Sequence, residues 1–263
     1  MTLPIYQVDA FTAQLFKGNP AAVVPLESWL SKEEMLHIAA ENNLAETAFF
    51  VKSGVDYELK WFTPLVEIDL CGHATVATAK VLYDHLGYSE SEIRFQTNSG
   101  LLTVRKDGKK YTLNFPANVP YAESTPEGLL EYLGVGKALE VLKGRTNDYL
   151  VVLESEAEVA ALTPDFRALK SVNARGIIVT AKGDEADFVS RFFGPAVGVD
   201  EDPVTGSAHT VLVPYWAEKL GKSELFARQI SKRGGELWVK LLGNRVEMSG
   251  EAVMYLKGEI FLP

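Results

Sequence analysis

The chain has 263 residues, 47% of them hydrophobic and 23% charged, with 26 Lys plus Arg set against 35 Asp plus Glu for a formal net charge of −9. This is globular composition, which excludes a disordered chain or a coiled coil, and the acidic balance with no basic run longer than Lys109-Lys110 argues against sequence-independent nucleic-acid binding. The single cysteine, Cys71, excludes an intramolecular disulfide, and neither a signal-peptide pattern nor a membrane-length apolar stretch is present, so a soluble, cytoplasmic protein is expected.

In chain order, Ser31-Lys32-Glu33-Glu34 reads as a capping box and predicts a helix through Met35, Leu36, Ile38 and Ala39. Leu44 to Phe50 is an apolar strand-like run interrupted by Glu46. A second helix is predicted from Gly72 to Gly87; Ala74, Val76, Ala77, Ala79, Val81 and Leu82 point to more than one side, the pattern of a helix surrounded by protein. Alternating segments follow at 93–97, 101–105 and 111–115, the last two joined by Asp107-Gly108 as a hairpin. Asn118 to Glu127, with Pro120 and Pro126, reads as a linker.

Beyond the linker the pattern recurs. Asn19 matches Asn147 at an offset of 128, Gly54 matches Gly183, Trp61-Phe62-Thr63-Pro64 matches Phe192-Phe193-Gly194-Pro195, Gly72-His73-Ala74 matches Gly206-Ser207-Ala208, and Gly108 matches Gly243 at 135. An offset that only ever grows is the mark of an internal repeat with short insertions. The second copy predicts a helix starting at Thr163-Pro164, a buried helix from Gly206 to Gly221 kinked at Pro214, and a hairpin around Leu242-Gly243-Asn244. The expected architecture is α+β: two pseudo-symmetric domains, residues 1–118 and 119–263, each a mixed sheet curled into a barrel around a central helix. A last strand, Glu259 to Leu262, is able to cross back to the first half.

The candidate chemistry gathers where loops enter the two buried helices. Cys71-Gly72-His73-Ala74 and Thr205-Gly206-Ser207-Ala208 place unpaired backbone N–H groups at helix N-termini, which suit a substrate carboxylate held across an interdomain cleft; tight turns and close packing explain Gly72 and Gly206 equally. Glu46 in its apolar strand has the placement of a general acid or base; a solvent-facing carboxylate, or an ion pair with its repeat counterpart Arg175, is the alternative. His73 suits proton shuttling between Glu46 and substrate and Asp202 suits orienting it, against a structural histidine and a turn-forming aspartate before Pro203. Cys71 has the position of a reactive thiol, but its repeat partner is Thr205, so a two-thiol mechanism is unavailable. His37, His85 and His209 show no metal spacing, and no phosphate loop, dinucleotide fingerprint or nucleophile elbow occurs; no metal is expected.

With these residues in view, the chain resembles the phenazine-biosynthesis (PhzF-like) isomerase family, a branch of the diaminopimelate epimerase-like fold. The resemblance covers nearly the whole chain and rests on 7–11, Gly18-Asn19-Pro20-Ala21-Ala22-Val23, Ala45-Glu46-Thr47-Ala48-Phe49, Asp69-Leu70-Cys71-Gly72-His73-Ala74-Thr75 and Glu201-Asp202-Pro203-Val204-Thr205-Gly206-Ser207-Ala208. It implies a homodimer without a cofactor, a catalytic glutamate at Glu46, supporting polar residues at His73, Asp202 and Ser207, and substrate-holding turns at Gly72 and Gly206. Epimerases of the wider fold use a cysteine in each half, and Thr205 departs from that pattern. The expected function is cofactor-independent proton transfer with double-bond migration on a small carboxylate-bearing metabolite. A Cys71-dependent epimerase or racemase and a non-catalytic small-molecule binding protein are the alternatives.

Overall fold

The computed structural model describes residues 1–262. The chain forms two compact units, Met1–Asn114 together with the segment from Ser249 onward, and Phe115–Met248.

In the first unit, β1 (Thr2–Ala10) pairs antiparallel with β2 (Asn19–Leu26), and helix α1 (Lys32–Asn42) carries the chain over to β3 (Glu46–Ser53), which runs parallel to β2. Both halves of the capping box form at α1: Ser31 Oγ accepts from the Glu34 N–H, and the Glu34 carboxylate accepts from the Ser31 N–H. Next come β4 (Asp56–Phe62), antiparallel to β3, the short β5 (Glu67–Ile68), the central helix α2 (Gly72–His85), β6 (Glu92–Thr97), and the hairpin of β7 (Gly100–Asp107) and β8 (Lys110–Pro116). Gly108 takes a φ of +57° in the hairpin turn, the left-handed geometry that glycine adopts without strain.

The second unit repeats this plan. It contains β9 (Tyr121–Ala122), α3 (Leu129–Leu133), β10 (Glu140–Lys143), β11 (Asp148–Val152), α4 (Glu156–Ala161), α5 (Phe166–Leu169), β12 (Gly176–Lys182) and β13 (Phe188–Gly194). Beyond them lie β14 (Val199–Asp202), the central helix α6 (Gly206–Leu220), β15 (Glu224–Gln229), β16 (Gly235–Leu242) and the long β17 (Arg245–Phe261). The pairings match strand for strand: β11 runs parallel to β12 as β2 does to β3, β12 antiparallel to β13 as β3 to β4, and β13 parallel to β15 as β4 to β6.

The boundaries differ from 1–118 and 119–263 because β17 does not stop at the second copy's hairpin. From Thr2↔Phe261 to Ala10↔Ala252 it pairs antiparallel with β1, and Ile260 and Leu262 pack on the cluster of Leu3, Val24, Ile38, Phe49 and Phe62. Burying those side chains removes apolar surface from water and fixes residues from Ser249 onward in the first unit. There β17 also pairs with β8, closing an eight-strand barrel. In each unit the mixed sheet curls round its central helix: α2 packs on β1, β2, β3 and β7, and α6 on β11, β15 and β16. Most residues of both helices are buried, as the apolar pattern predicts.

Two local expectations need correction or refinement. The helix expected from Thr163-Pro164 is instead two short pieces: Ser155 caps α4, Leu162 leaves the helical region, and Asp165, not Thr163, caps α5. A residue before proline is pushed toward extended backbone, so Pro164 separates the pieces. Helix α6 runs through Pro214 without a break. Proline has no N–H for the Thr210 carbonyl four residues back, and that carbonyl accepts from the Asn118 N–H at 3.0 Å instead. Among the described residues no helix is long and apolar enough to cross a membrane.

Candidate active site

The candidate residues form two groups, one in each unit. In the first, Glu46 opens β3 in register with Ala21 of β2, while Cys71 is the N-cap of α2 and Gly72 and His73 form its first turn. No side-chain cap hydrogen bond forms at α2, and its first turn presents the positive end of the helix dipole.

Glu46 Oε2 lies 2.9 Å from His73 Nε2, with the carboxylate side chain 16% exposed and the imidazole buried. The contact is an ion pair off the hydrogen-bonding direction, which leaves Oε2 with no aligned hydrogen-bond partner among the described residues. Glu46 is therefore not the solvent-facing carboxylate that the sequence left open. On its other side, His73 Nδ1 lies 3.2 Å from Asn19 Nδ2 and 3.5 Å from Cys71 Sγ. Burial opposes protonation of His73, but the sulfur and the carboxylate beside it outweigh burial and hold its proton affinity well above that of an ordinary histidine. For Cys71, burial and the Glu46 charge push the thiol up to about 11, against the pull of His73.

Asn19 belongs to this group although sequence reasoning did not single it out. It is the first residue of β2 and fully buried, seated by Gly18, whose φ is +65° and whose absent Cβ would stand 2.2 Å from the Ala10 carbonyl oxygen. The signal that could have found it is a polar residue inside the run Gly18 to Val23 with a repeat counterpart at Asn147.

Glu46, Cys71 and His73 also offer a carboxylate, a thiol and an imidazole whose ligating atoms all lie within 4.8 Å, a set that could hold a divalent metal and that was not foreseen from histidine spacing. The separation of 2.9 Å between Glu46 and His73 is shorter than the about 3.3 Å between ligands of a tetrahedral zinc and is that of directly interacting partners.

In the second unit, Thr205 is the N-cap of α6 and Ser207 lies in its first turn, again without a side-chain cap. Thr205 Oγ1 donates to Asp202 Oδ2 at 2.5 Å, and buried Gln229 braces the loop: its Oε1 accepts from the Thr205 N–H and its Nε2 donates to the Asp202 carbonyl. Gln229, at the end of β15, gave no signal in the sequence beyond an alternating strand pattern. Ser207 Oγ accepts from Arg175 Nη2 at 3.0 Å. His209, one turn into α6, places Nδ1 2.8 Å from the Thr205 carbonyl oxygen, and burial pushes its imidazole down to about 4. Each unit thus presents a glycine-led helix N-terminus with no side-chain cap and with polar side chains around it, but among the described residues the carboxylate–imidazole pair belongs to the first unit alone.

The chain is similar to known proteins over its length. The profile of the family described as "Phenazine biosynthesis-like protein" matches residues 8–258. An uncharacterized isomerase of Pseudomonas aeruginosa is 55% identical over the full length of both chains, and the mouse phenazine biosynthesis-like domain-containing protein 2 is 40% identical over 99% of each. The crystal structure of a PhzF-family phenazine biosynthesis protein from Enterococcus faecalis has a TM-score of 0.96 and 48% identity, with complete coverage of both chains. A hydroxyproline epimerase from Agrobacterium vitis shares the fold, with a TM-score of 0.63 and 10% identity over 98% of this chain and 92% of that one. By its sequence match, its fold and the names of its relatives, the chain belongs to the phenazine biosynthesis-like protein family and is an enzyme of the isomerase class.

Proposed function

We propose that the protein isomerises a small carboxylate-bearing metabolite by moving a proton from one carbon to another, so that a double bond migrates, with Glu46 as the acid/base group and no cofactor. The observation that carries this reading is the Glu46–His73 pair: a largely shielded carboxylate oxygen 2.9 Å from a buried imidazole. A shielded carboxylate beside a proton-carrying group has the placement of a general acid or base. The substrate's proton passes to Glu46, the electron pair left on carbon delocalises into the conjugated system, and Glu46, its proton exchanged with solvent, delivers a proton to the far carbon, so atoms and charge balance.

The helix N-termini led by Gly72 and Gly206 support carboxylate binding, which holds the reacting carbon against Glu46. Asp202 and Ser207, with the turn at Gly206, complete the proposal from the second unit as groups that orient the substrate's polar substituents and assist proton delivery; their support is the internal repeat and the braced loop around Thr205. A Cys71-dependent epimerase needs a thiolate as base, and a thiol pushed up to about 11 stays protonated at neutral pH. The same geometry supports Glu46 over Cys71. A homodimer is the proposed assembly, to be read by sedimentation.

The test offers wild type and Glu46→Gln a panel of small cyclic and linear amino and hydroxy acids in deuterated water, followed by NMR. Uptake of deuterium by a panel member with wild type and its loss in Glu46→Gln is expected; uptake preserved in the variant refutes the assignment. Binding without any uptake returns the site to a non-catalytic binding protein.

A further inference from the structure

Where the repeat places Glu46 in the first unit, the second unit carries Arg175, and its surroundings are built as tightly. Asp148, the fully buried first residue of β11, accepts from Arg175 Nη2 at 2.5 Å and from Thr146 Oγ1 at 2.6 Å. The guanidinium carbon lies 5.4 Å from the centroid of the Phe192 ring, and the Arg175 backbone N–H donates to the Asn147 carbonyl. A Cβ on Gly176 would stand 2.1 Å from that Phe192 ring and 3.1 Å from Asp148 Oδ1, so the neighbouring backbone is closed tightly onto the group. An ion pair, an aromatic face and a close-packed glycine therefore fix the plane of a guanidinium that is still 36% exposed.

What the guanidinium does with its donors is the informative part. Nη2 serves Asp148 and Ser207, whereas Nη1 and the buried Nε have no acceptor among the described residues. Ser207 Oγ is already an acceptor from Arg175, and its own hydroxyl proton also has no acceptor among the described residues. Arg175 thereby sets Ser207 as a donor. Beside the uncapped N-terminus of α6, the outer Nη1 of a fixed positive group and the Ser207 hydroxyl match the planar, negatively charged oxygens of a carboxylate.

We infer that Arg175, held by Asp148 and Phe192, forms with Ser207 a carboxylate-binding subsite that gives the enzyme its selectivity for acid over neutral substrates. The inference rests on the isomerase reading for the identity of the ligand, but its test does not depend on turnover. Ligand-observed saturation-transfer NMR on the full chain at neutral pH compares pyrrole-2-carboxylate and proline with their primary amides, which keep the shape and lose the charge. Wild type is expected to bind the acids at least about tenfold more tightly than the amides, the worth of a charge-assisted hydrogen bond.

The double variant Arg175→Gln/Asp148→Asn removes both charges together, so that neither is left buried alone, and is expected to lower the acid preference several-fold. Ser207→Ala disturbs no buried charge and reads the same prediction independently, as a several-fold fall in the acid preference. A purely structural Asp148–Arg175 pair would shift the thermal melt while leaving the acid-to-amide ratio at its wild-type value in both variants, and that result overturns the inference. So does a wild type that binds acid and amide alike. Glu46→Gln in the same assay keeps the acid preference, so loss of deuterium uptake and loss of selectivity are separable failures.

Discussion

His209 makes the protein's stability depend on pH in a way that can be worked out. The imidazole is fully buried on α6, tied through Nδ1 to the Thr205 carbonyl, and burial holds it at about 4 against an ordinary 6.5. In the unfolded chain His209 takes up a proton as the pH falls below 6.5; in the folded protein it stays neutral until about 4. The unfolded state binds more protons throughout that window, so stability present above pH 6.5 is lost as the pH drops toward 4 and falls no further from this group below it. A displacement of about 2.5 pH units at 1.36 kcal/mol per unit corresponds to about 3 kcal/mol, of which about 2 kcal/mol is gone by pH 5. His73 titrates with the opposite sign, because its proton affinity is raised on folding, but it is common to both proteins in the comparison. The assay is urea unfolding followed by tryptophan fluorescence, for wild type and His209→Gln, at pH 7 and pH 5. Wild type is expected to lose about 2 kcal/mol more than the variant between those conditions. Equal losses would refute the argument, because they would show that His209 is not held neutral by the fold.

Three other outcomes follow from the geometry. Cys71, buried and with its thiol pushed up to about 11, should resist alkylation by iodoacetamide at pH 7.5 in the folded protein and react once urea unfolds it, as read by mass spectrometry. Gly176→Ala drives a methyl group into the Phe192 ring and should destabilise the second unit by about 1–3 kcal/mol in chemical denaturation, with a shift in the aromatic near-ultraviolet signal. Ser31→Ala removes one half of the α1 capping box and should cost about 1 kcal/mol without altering any activity, since α1 carries no candidate residue.

Much of this arrangement was legible in the sequence because it is local or repeated. The capping box at Ser31, the Asp107-Gly108 turn and the all-round apolar faces of α2 and α6 each express a short-range rule, and the growing repeat offset aligns Gly72 with Gly206. What could not be read is what depends on long-range register. Asn19 and Gln229 are lone polar residues in strands, and nothing nearby in sequence shows that one faces His73 and the other braces Thr205. The Asp148–Arg175 pair joins residues 27 apart through the parallel pairing of β11 with β12, and that pairing exists only in the folded sheet. The Thr163-Pro164 reading failed for a local reason: proline suits the first turn of a helix and equally ends the extended segment before one, and here Asp165 supplies the cap.

The central claim, that Glu46 moves a proton between two carbons, is tested most directly by where deuterium ends up. For the first panel member turned over in deuterated water, NMR assigns the labelled carbon in the wild-type product and in Glu46→Gln. The account predicts label on a carbon other than the one deprotonated, with a shifted double bond, and none in the variant. Label returned to the original carbon with inverted configuration, persisting in Glu46→Gln and abolished in Cys71→Ser, would contradict it.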